Sequence, residues 1–159
     1  MMSQVVPVTA GEIRRGGFSS PFNKHVGIEG FTSTNTNKGA IAINVITPET
    51  ASNIHRPIVH GGWTATLLDT VASSVPYFHK VNGLEDSEYG LTKSLNIEFN
   101  KPVFVGQTYS CQGNIIERKG NNIKTEAALT DAQGVKVATA TALVKARRAD
   151  YETTTAMAV

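Results

Sequence analysis

One long amphipathic helix pattern, from His60 to Phe78, constrains the fold more than any other stretch of the sequence. Its apolar residues recur at about 100° per residue and fall on one side of the predicted helix. These apolar residues are Leu67, Leu68, Val71, Ala72, Val75 and Phe78. An interior proline, Pro76, predicts a kink or an end near Val75. Because this helix is the one large apolar element available to cover a sheet, the rest of the chain is expected to fold around it.

The remainder of the chain is dominated by alternating, period-two patterns that are typical of strands. Strands are predicted at residues 40–47, 91–100, 107–118, 123–130 and 135–145, with tight turns at 119–122 and 131–134. In the second of these, the alternation predicts one face made of Leu91, Lys93, Leu95, Ile97 and Phe99. One long helix with five or six antiparallel strands predicts an α+β domain, a strongly curved sheet wrapped around one central helix.

A single domain is expected at 159 residues, of which 40% are hydrophobic and 18% charged. We expect residues 1–37 to form an N-terminal extension packed on the domain, 38–148 the domain itself, and 149–159 a frayed tail. A short helix is predicted around residues 10–15. Residues 18–30 are interpreted as a loop or short helix laid against the domain.

Composition excludes several classes of protein. The net charge of +2 is too mild to indicate nucleic-acid binding. No apolar run reaches the length of a membrane span, and the N-terminus lacks a signal-peptide core. The single cysteine, Cys111, excludes an internal disulfide and fits a reducing compartment, so a cytoplasmic location is expected. The four histidines show no zinc spacing, and we expect no metal and no cofactor.

The start of the helix has the features of a site that polarises a carbonyl group. In His60-Gly61-Gly62 the glycines allow a ligand to approach the backbone, and the first N–H groups of a helix lack internal partners. Asp69 follows about two turns later, on the face that is not core. The competing interpretation is a plain loop followed by a solvated aspartate. The face around Asp69 carries small, uncharged residues (Ala65, Thr66 and Ser73), so we expect a ligand or a second subunit to cover it.

Two motifs give the chain a resemblance to a known family. His60-Gly61-Gly62 is followed by Asp69 nine positions after the histidine, and Leu91-Thr92 opens a strand that closes with Phe99-Asn100-Lys101-Pro102. Over residues 38–145 the chain resembles the hotdog-fold acyl-CoA thioesterases, the group that includes phenylacetyl-CoA-type bacterial enzymes and small mammalian acyl-CoA thioesterases. The resemblance implies a hotdog fold whose subunits pair edge to edge, as a dimer or tetramer, with active sites at the interface.

The resemblance also implies catalytic roles. Gly61 would direct its N–H at the thioester carbonyl, Asp69 of the neighbouring subunit would act as general base or nucleophile, and Thr92 would position the water. His60 would hold the loop and help to bind the thioester. The family asparagine usually lies six residues before the histidine, where this chain has Ile54, so Asn53 fills that role only if the loop is one residue longer.

For the substrate, the resemblance implies an acyl-CoA or another acyl thioester. We expect Gly62, Trp63, Arg147 and Arg148 to contact it. The pocket candidates are Phe22, Trp63, Tyr77 and Phe78, and the cations that would hold the CoA phosphates are Lys101, Arg118, Lys119, Lys124, Arg147 and Arg148.

Two alternatives stay open at this stage. One is a hotdog-type dehydratase or hydratase of acyl thioesters that uses His55 and Asp69, because these residues are fourteen positions apart. The other is a non-catalytic acyl-CoA binder, which would tolerate the loss of Asp69.

Overall fold

The computed structural model describes residues 6–8, 20–28, 32–37, 40–82 and 88–148. The strands are β1 (Val6–Val8), β2 (Thr32–Asn37), β3 (Ala40–Ile46), β4 (Glu88–Phe99), β5 (Thr108–Lys119), β6 (Asn122–Thr130) and β7 (Lys136–Arg148). The helices are α1 (Pro21–His25) and α2 (Gly61–Asn82), with one 3₁₀ turn at Glu49–Ala51. The helix predicted around residues 10–15 and the tail at 149–159 lie outside the described residues.

All seven strands form one antiparallel sheet in the order β1-β2-β3-β5-β6-β7-β4. The five strands predicted from alternation are β3 to β7, each within a few residues of its predicted bounds. The two hairpins β5-β6 and β6-β7 follow the predicted turns. The long strand β4 pairs only with β7 among the described strands, so its other side is a free edge of the sheet.

The helix α2 packs its apolar side on the sheet, as its periodicity predicts. Leu67, Leu68, Val71, Ala72 and Val75 are all fully buried. Two strand glycines allow this close packing. A Cβ on Gly113 would lie 2.7 Å from Val71 Cγ1, and a Cβ on Gly90 would lie 2.5 Å from the carbonyl oxygen of Ser73. The helix therefore lies against backbone at these two points.

The helix continues through Pro76 to Asn82, so an early end near Val75 is wrong, and a kink stays a prediction. A proline removes one backbone hydrogen bond. Pro76 is itself buried, and so are Ser74 and Val75 before it. Burial of this part of the helix offsets the lost hydrogen bond, and helix propensity alone does not include that contribution.

The predicted face of β4 is wrong at its start, because a β-bulge lies between Thr92 and Ser94. Thr92 lies opposite Val144 and Leu95 opposite Ala142, and both partners are buried. Because directly opposed residues share a face, Thr92 joins Leu95, Ile97 and Phe99 on the helix side of the sheet. An alternation counted along the sequence misses the extra residue.

Across the described residues, no helix is long and apolar enough to cross a membrane.

Candidate active site

The first turn of α2 leaves one backbone donor available. The Gly62 N–H donates to Nδ1 of His60 at 2.8 Å, and the N–H groups of Trp63 and Thr64 donate to the His60 carbonyl oxygen at 3.0 and 3.4 Å. The Gly61 N–H has no hydrogen-bond partner among the described residues. Because Nδ1 accepts, the proton of the neutral imidazole lies on Nε2. The loop thus offers two donors to a ligand, the Gly61 N–H and the His60 Nε2–H.

Asp69 is joined to the edge strand through Thr92. The Thr92 hydroxyl donates to Oδ1 of Asp69 at 2.6 Å, from β4 to α2. This is a short hydrogen bond, as expected for a hydroxyl on an ionised carboxylate. Since a hydroxyl has one proton, Thr92 can only accept any further hydrogen bond. Within the described part of the chain, no other side chain bonds to this carboxylate or pairs with its charge.

The Asp69 side chain lines an open cavity of about 410 Å³ between α1, α2 and β4. The lining residues are Ser20, Phe22, Asn23, Ala65, Thr66, Asp69, Thr70, Ser73 and Leu95. They include the small, uncharged face that the sequence predicts to be covered. Asp69 is the one charged side chain among them.

Gly61 and Asp69 lie too far apart to act on one carbonyl group within a single chain. They are eight residues apart on one helix, which is about 12 Å at 1.5 Å per residue. A donor about 3 Å from the carbonyl oxygen and a carboxylate close to the carbonyl carbon need a much shorter separation. Within one chain the Gly61 donor and the Asp69 carboxylate are therefore separate groups, one at the start of α2 and one about two turns later.

The other predicted site residues are dispersed. Trp63 is buried at 5% exposure, and its indole Nε1 donates to the Val26 carbonyl oxygen at 2.8 Å. Asn53 uses its side-chain oxygen to accept from the Ile54 N–H at 2.7 Å, within its own loop. His55 is exposed on the same loop. The side chains of Tyr77, Phe78 and Arg148 lie outside the described ones.

Most of the predicted phosphate-binding cations gather at one end of the sheet. Arg147 is exposed on β7 opposite Tyr89 of β4, three residues from Thr92. The Ala146 N–H donates to the carbonyl oxygen of Asn121 at 2.7 Å. This contact brings the β5-β6 hairpin, which carries Arg118, Lys119 and Lys124, beside the end of β7. Lys101 follows the other end of β4 and lies apart from the group.

Sequence reasoning missed the contact that fixes the N-terminal segment to the site. Asn23 of α1 is 4% exposed, and its Nδ2 donates to Oγ1 of Thr70, the neighbour of Asp69, at 3.1 Å. Ser20 caps α1 by accepting from the Asn23 N–H at 3.1 Å. The Ser20-Pro21 pair was the available signal, because serine at the N-cap with proline at the first helical position is typical of a helix start.

Neither metal nor thiol chemistry finds support in the described residues. They contain no group of three or more His, Cys, Asp or Glu side chains that could hold a metal ion. Cys111 is fully buried on β5, and burial raises the pKa of its thiol far above the ordinary range. A thiol held in its protonated form does not act as a nucleophile.

Comparison with solved structures identifies the fold. Zebrafish thioesterase superfamily member 2 is 18% identical, covers 86% of this chain and 94% of its own, and has a TM-score of 0.70. A protein of Streptococcus mutans UA159 bound to acetyl CoA is 19% identical over 76% of this chain and 90% of its own (TM-score 0.65). A hypothetical thioesterase protein of Streptococcus pneumoniae TIGR4, with coenzyme A, is 18% identical over the same shares (TM-score 0.65).

These likenesses confirm the predicted hotdog fold. No curated protein sequence gave a significant match. The model of the thioesterase superfamily matches residues 57–138, which is just over half of the chain and includes His60-Gly61-Gly62, Asp69 and Thr92. This chain is a member of the thioesterase superfamily.

Proposed function

We propose that the protein is an acyl-CoA thioesterase that hydrolyses the thioester bond with Asp69 as general base or nucleophile. The observation that carries this proposal is the 2.6 Å hydrogen bond from Thr92 to Asp69 at the edge of an open cavity. It fixes one carboxylate oxygen and leaves the other unengaged by described side chains. Coenzyme A and acetyl CoA bound to two structures of the same fold support an acyl-CoA as the substrate class.

The reaction adds water across the carbon–sulfur bond. In the general-base route, Asp69 takes a proton from water as the water oxygen bonds to the carbonyl carbon, and the carbonyl oxygen becomes an oxyanion. The Gly61 N–H would donate to that oxyanion, an interaction worth roughly 3 kcal/mol in comparable sites. The carbon–sulfur bond then breaks, and the CoA thiolate takes the proton from Asp69. The products are a carboxylic acid and CoA thiol.

Thr92 has a defined part in this route. Its proton is engaged by Asp69, so its oxygen is free to accept a hydrogen bond from the attacking water. Water held between the Thr92 oxygen and the free oxygen of Asp69 would be oriented for proton transfer. We therefore describe Thr92 as the residue that positions both the base and the water.

A second copy of the chain supplies the missing half of the site in this proposal. The free edge of β4 would pair with β4 of another copy, in the edge-to-edge arrangement that the resemblance implies. Exposed apolar side chains on this strand, Leu91 and Phe99, agree with a covered edge, since long bare edges promote association. A Cβ on Gly61 would lie 3.7 Å from the Phe99 ring, so Phe99 marks the position of the Gly61 donor along that edge.

Thiol release tests the function. Purified protein is mixed with acetyl-, hexanoyl-, lauroyl- and phenylacetyl-CoA and a thiol reagent, and the same protein is mixed with an enoyl-CoA while the enoyl absorbance is followed. Thiol release from at least one saturated acyl-CoA is expected. Loss of enoyl absorbance without thiol release would assign a hydratase instead, and binding with neither reaction would assign a non-catalytic binder.

A single-turnover experiment in ¹⁸O-labelled water separates the two roles of Asp69. With excess enzyme, the general-base route places one ¹⁸O in every product acid. The nucleophilic route forms a mixed anhydride between Asp69 and the acyl group. If water then attacks the Asp69 carbonyl, the first product acid contains unlabelled oxygen and the label enters Asp69, which mass spectrometry of the peptide would detect.

A further inference from the structure

The segment Ser20–Ile28 is held on α2 by hydrogen bonds at Asn23 and Val26. The side chain of Asn23 is 4% exposed and donates to Thr70 Oγ1 at 3.1 Å. The carbonyl oxygen of Val26 accepts from Trp63 Nε1 at 2.8 Å. Ile28 is fully buried in the core. Because buried hydrogen bonds are costly to break, this segment forms a fixed wall over the first half of α2.

Phe22 is the exception within this wall. It neighbours the buried Asn23 but is itself 60% exposed, and it lines the same cavity as Asp69. Leu95 of β4 and Ala65 of α2 contribute further apolar surface to that cavity. Most of the Phe22 ring is left in contact with water by the protein itself. An apolar ligand that covers the ring is favoured, because both apolar surfaces are then removed from water.

The charge of the cavity indicates which part of an acyl-CoA it would accept. Asp69 is its one charged lining residue, and no lysine or arginine is among them. The nucleotide end of CoA is a polyanion, which a cavity with a single negative charge repels. Four of the cations predicted to hold the CoA phosphates, Arg118, Lys119, Lys124 and Arg147, lie instead on the β5-β6 hairpin and at the end of β7. An acyl-CoA with its nucleotide at these cations would have its acyl group on the α1 side.

We infer that α1 is the acyl-selecting wall of the site and that Phe22 determines which acyl groups fit beside Asp69. This inference rests on the proposed thioesterase function and adds the substrate class, thioesters of apolar aliphatic or aromatic acids. The hydrogen bond between Asn23 and Thr70 holds α1 at its distance from the helix α2.

Two opposite substitutions at Phe22 test the inference. Phe22→Ala opens the wall, and Phe22→Trp narrows it. The measurement is kcat/KM for a series of saturated acyl-CoAs from two to fourteen carbons and for phenylacetyl-CoA. We expect the ratio of kcat/KM for long over short chains to rise at least tenfold in Phe22→Ala and to fall in Phe22→Trp, since one methylene in an apolar pocket changes selectivity by about 10- to 200-fold. The matched control is Phe104→Ala, an exposed phenylalanine away from the cavity, which should leave the ratio unchanged.

Binding of non-hydrolysable alkyl-CoA thioethers, measured by calorimetry on the same three variants, separates this inference from the proposed function. If the two Phe22 variants shift the preferred chain length for binding in opposite directions but no acyl-CoA is hydrolysed, the role of Phe22 in selectivity is supported and the proposed thioesterase activity is refuted. If acyl-CoA is hydrolysed and the chain-length preference is the same in all variants, or shifts in the same direction in both Phe22 variants, the role of Phe22 in selectivity is refuted and the thioesterase activity is not. A changed dimer dissociation constant in Phe22→Ala, with an unchanged chain-length preference, would also refute this role. It would show that a second subunit covers the Phe22 ring.

Discussion

The Thr92 hydroxyl donates to the Asp69 carboxylate at 2.6 Å and thereby joins the edge strand of the sheet to the central helix. Replacing the hydroxyl tests its role. Thr92→Val keeps the shape of the side chain but removes the donor, and we expect kcat to fall about 10- to 100-fold with little change in KM. Thr92→Ser keeps the hydroxyl and is expected to stay within about threefold of the wild type. Equal activity in the serine and valine variants would show that the hydroxyl has no part in the reaction.

Asp69 carries the proposed chemistry, and its amide analogue isolates the charge. Asp69→Asn retains an oxygen that can accept from Thr92 but is a poor base, so turnover should fall roughly a hundredfold or more while the fold is kept. Steady-state thiol release measures turnover, and circular dichroism with thermal unfolding checks the fold. Turnover close to wild type in a folded Asp69→Asn protein would refute the mechanism.

The register proposed for the dimer places Thr92, which contacts Asp69, opposite Phe99, which lies beside Gly61. Thr92, Leu95, Ile97 and Phe99 share the helix face. An antiparallel pairing of two copies about Asn96 places Leu95 opposite Ile97 of the second copy and Thr92 opposite Phe99 of the second copy. This register would bring Asp69 of one copy beside Gly61 of the other.

Disulfide cross-linking checks that register. In Asn96→Cys the two introduced thiols would lie on directly paired residues, about 4.5–5.5 Å apart between Cα atoms, within reach of a disulfide. Glu98→Cys is the control on the same outer face, where the two copies would be about 13 Å apart along the strands. We expect a covalent dimer on oxidation of Asn96→Cys only. Cross-linking of Glu98→Cys instead would show that the two strands pair about a different residue. A monomer in sedimentation would show that the proposed interface does not form.

The cations at the end of β7 predict a salt-dependent KM. Exposed contacts to phosphate are screened by salt, so KM for acyl-CoA should rise with ionic strength while kcat changes little. Arg147→Gln and the double variant with Arg148→Gln should reproduce the increase at low salt. Lys136→Gln, at the opposite end of β7, removes one charge elsewhere and serves as the control. A KM that is flat across the salt range would place the nucleotide away from these residues.

Cys111 predicts a loss of stability at alkaline pH. Burial raises the pKa of its thiol above the ordinary value of 9.0, so above that pH the unfolded chain releases a proton that the folded chain keeps. The unfolded state then binds fewer protons, and the free energy of unfolding decreases as pH rises, by up to about 1.4 kcal/mol per pH unit. Urea unfolding between pH 8 and 10.5 measures the slope, which Cys111→Ala should reduce. An equal slope in both proteins would contradict this account.

Much of the fold could be predicted from local patterns, and so could the placement of Gly61 and Asp69 on one helix. The apolar stripe of α2 and the alternation in β3 to β7 are set by neighbours in sequence, and the spacing of His60 and Asp69 is fixed by one helix. Asn23 on Thr70 and the bulge beside Thr92 are contacts between distant segments, which no local period reports. Trp63 shows the same limit, because an aromatic residue beside a glycine pair looks equally suited to a substrate or to the Val26 carbonyl that it contacts.

The glycines at positions 90 and 113 have a consequence that reaches beyond packing. They let α2 lie against strand backbone, and this spacing sets how far the Asp69 carboxylate is from Thr92 on the neighbouring strand. A single added methyl group at either position would displace the helix by a fraction of an ångström, comparable to the tolerance of a productive hydrogen bond. A random mutagenesis screen for inactive but folded protein should therefore recover alanines at these two positions.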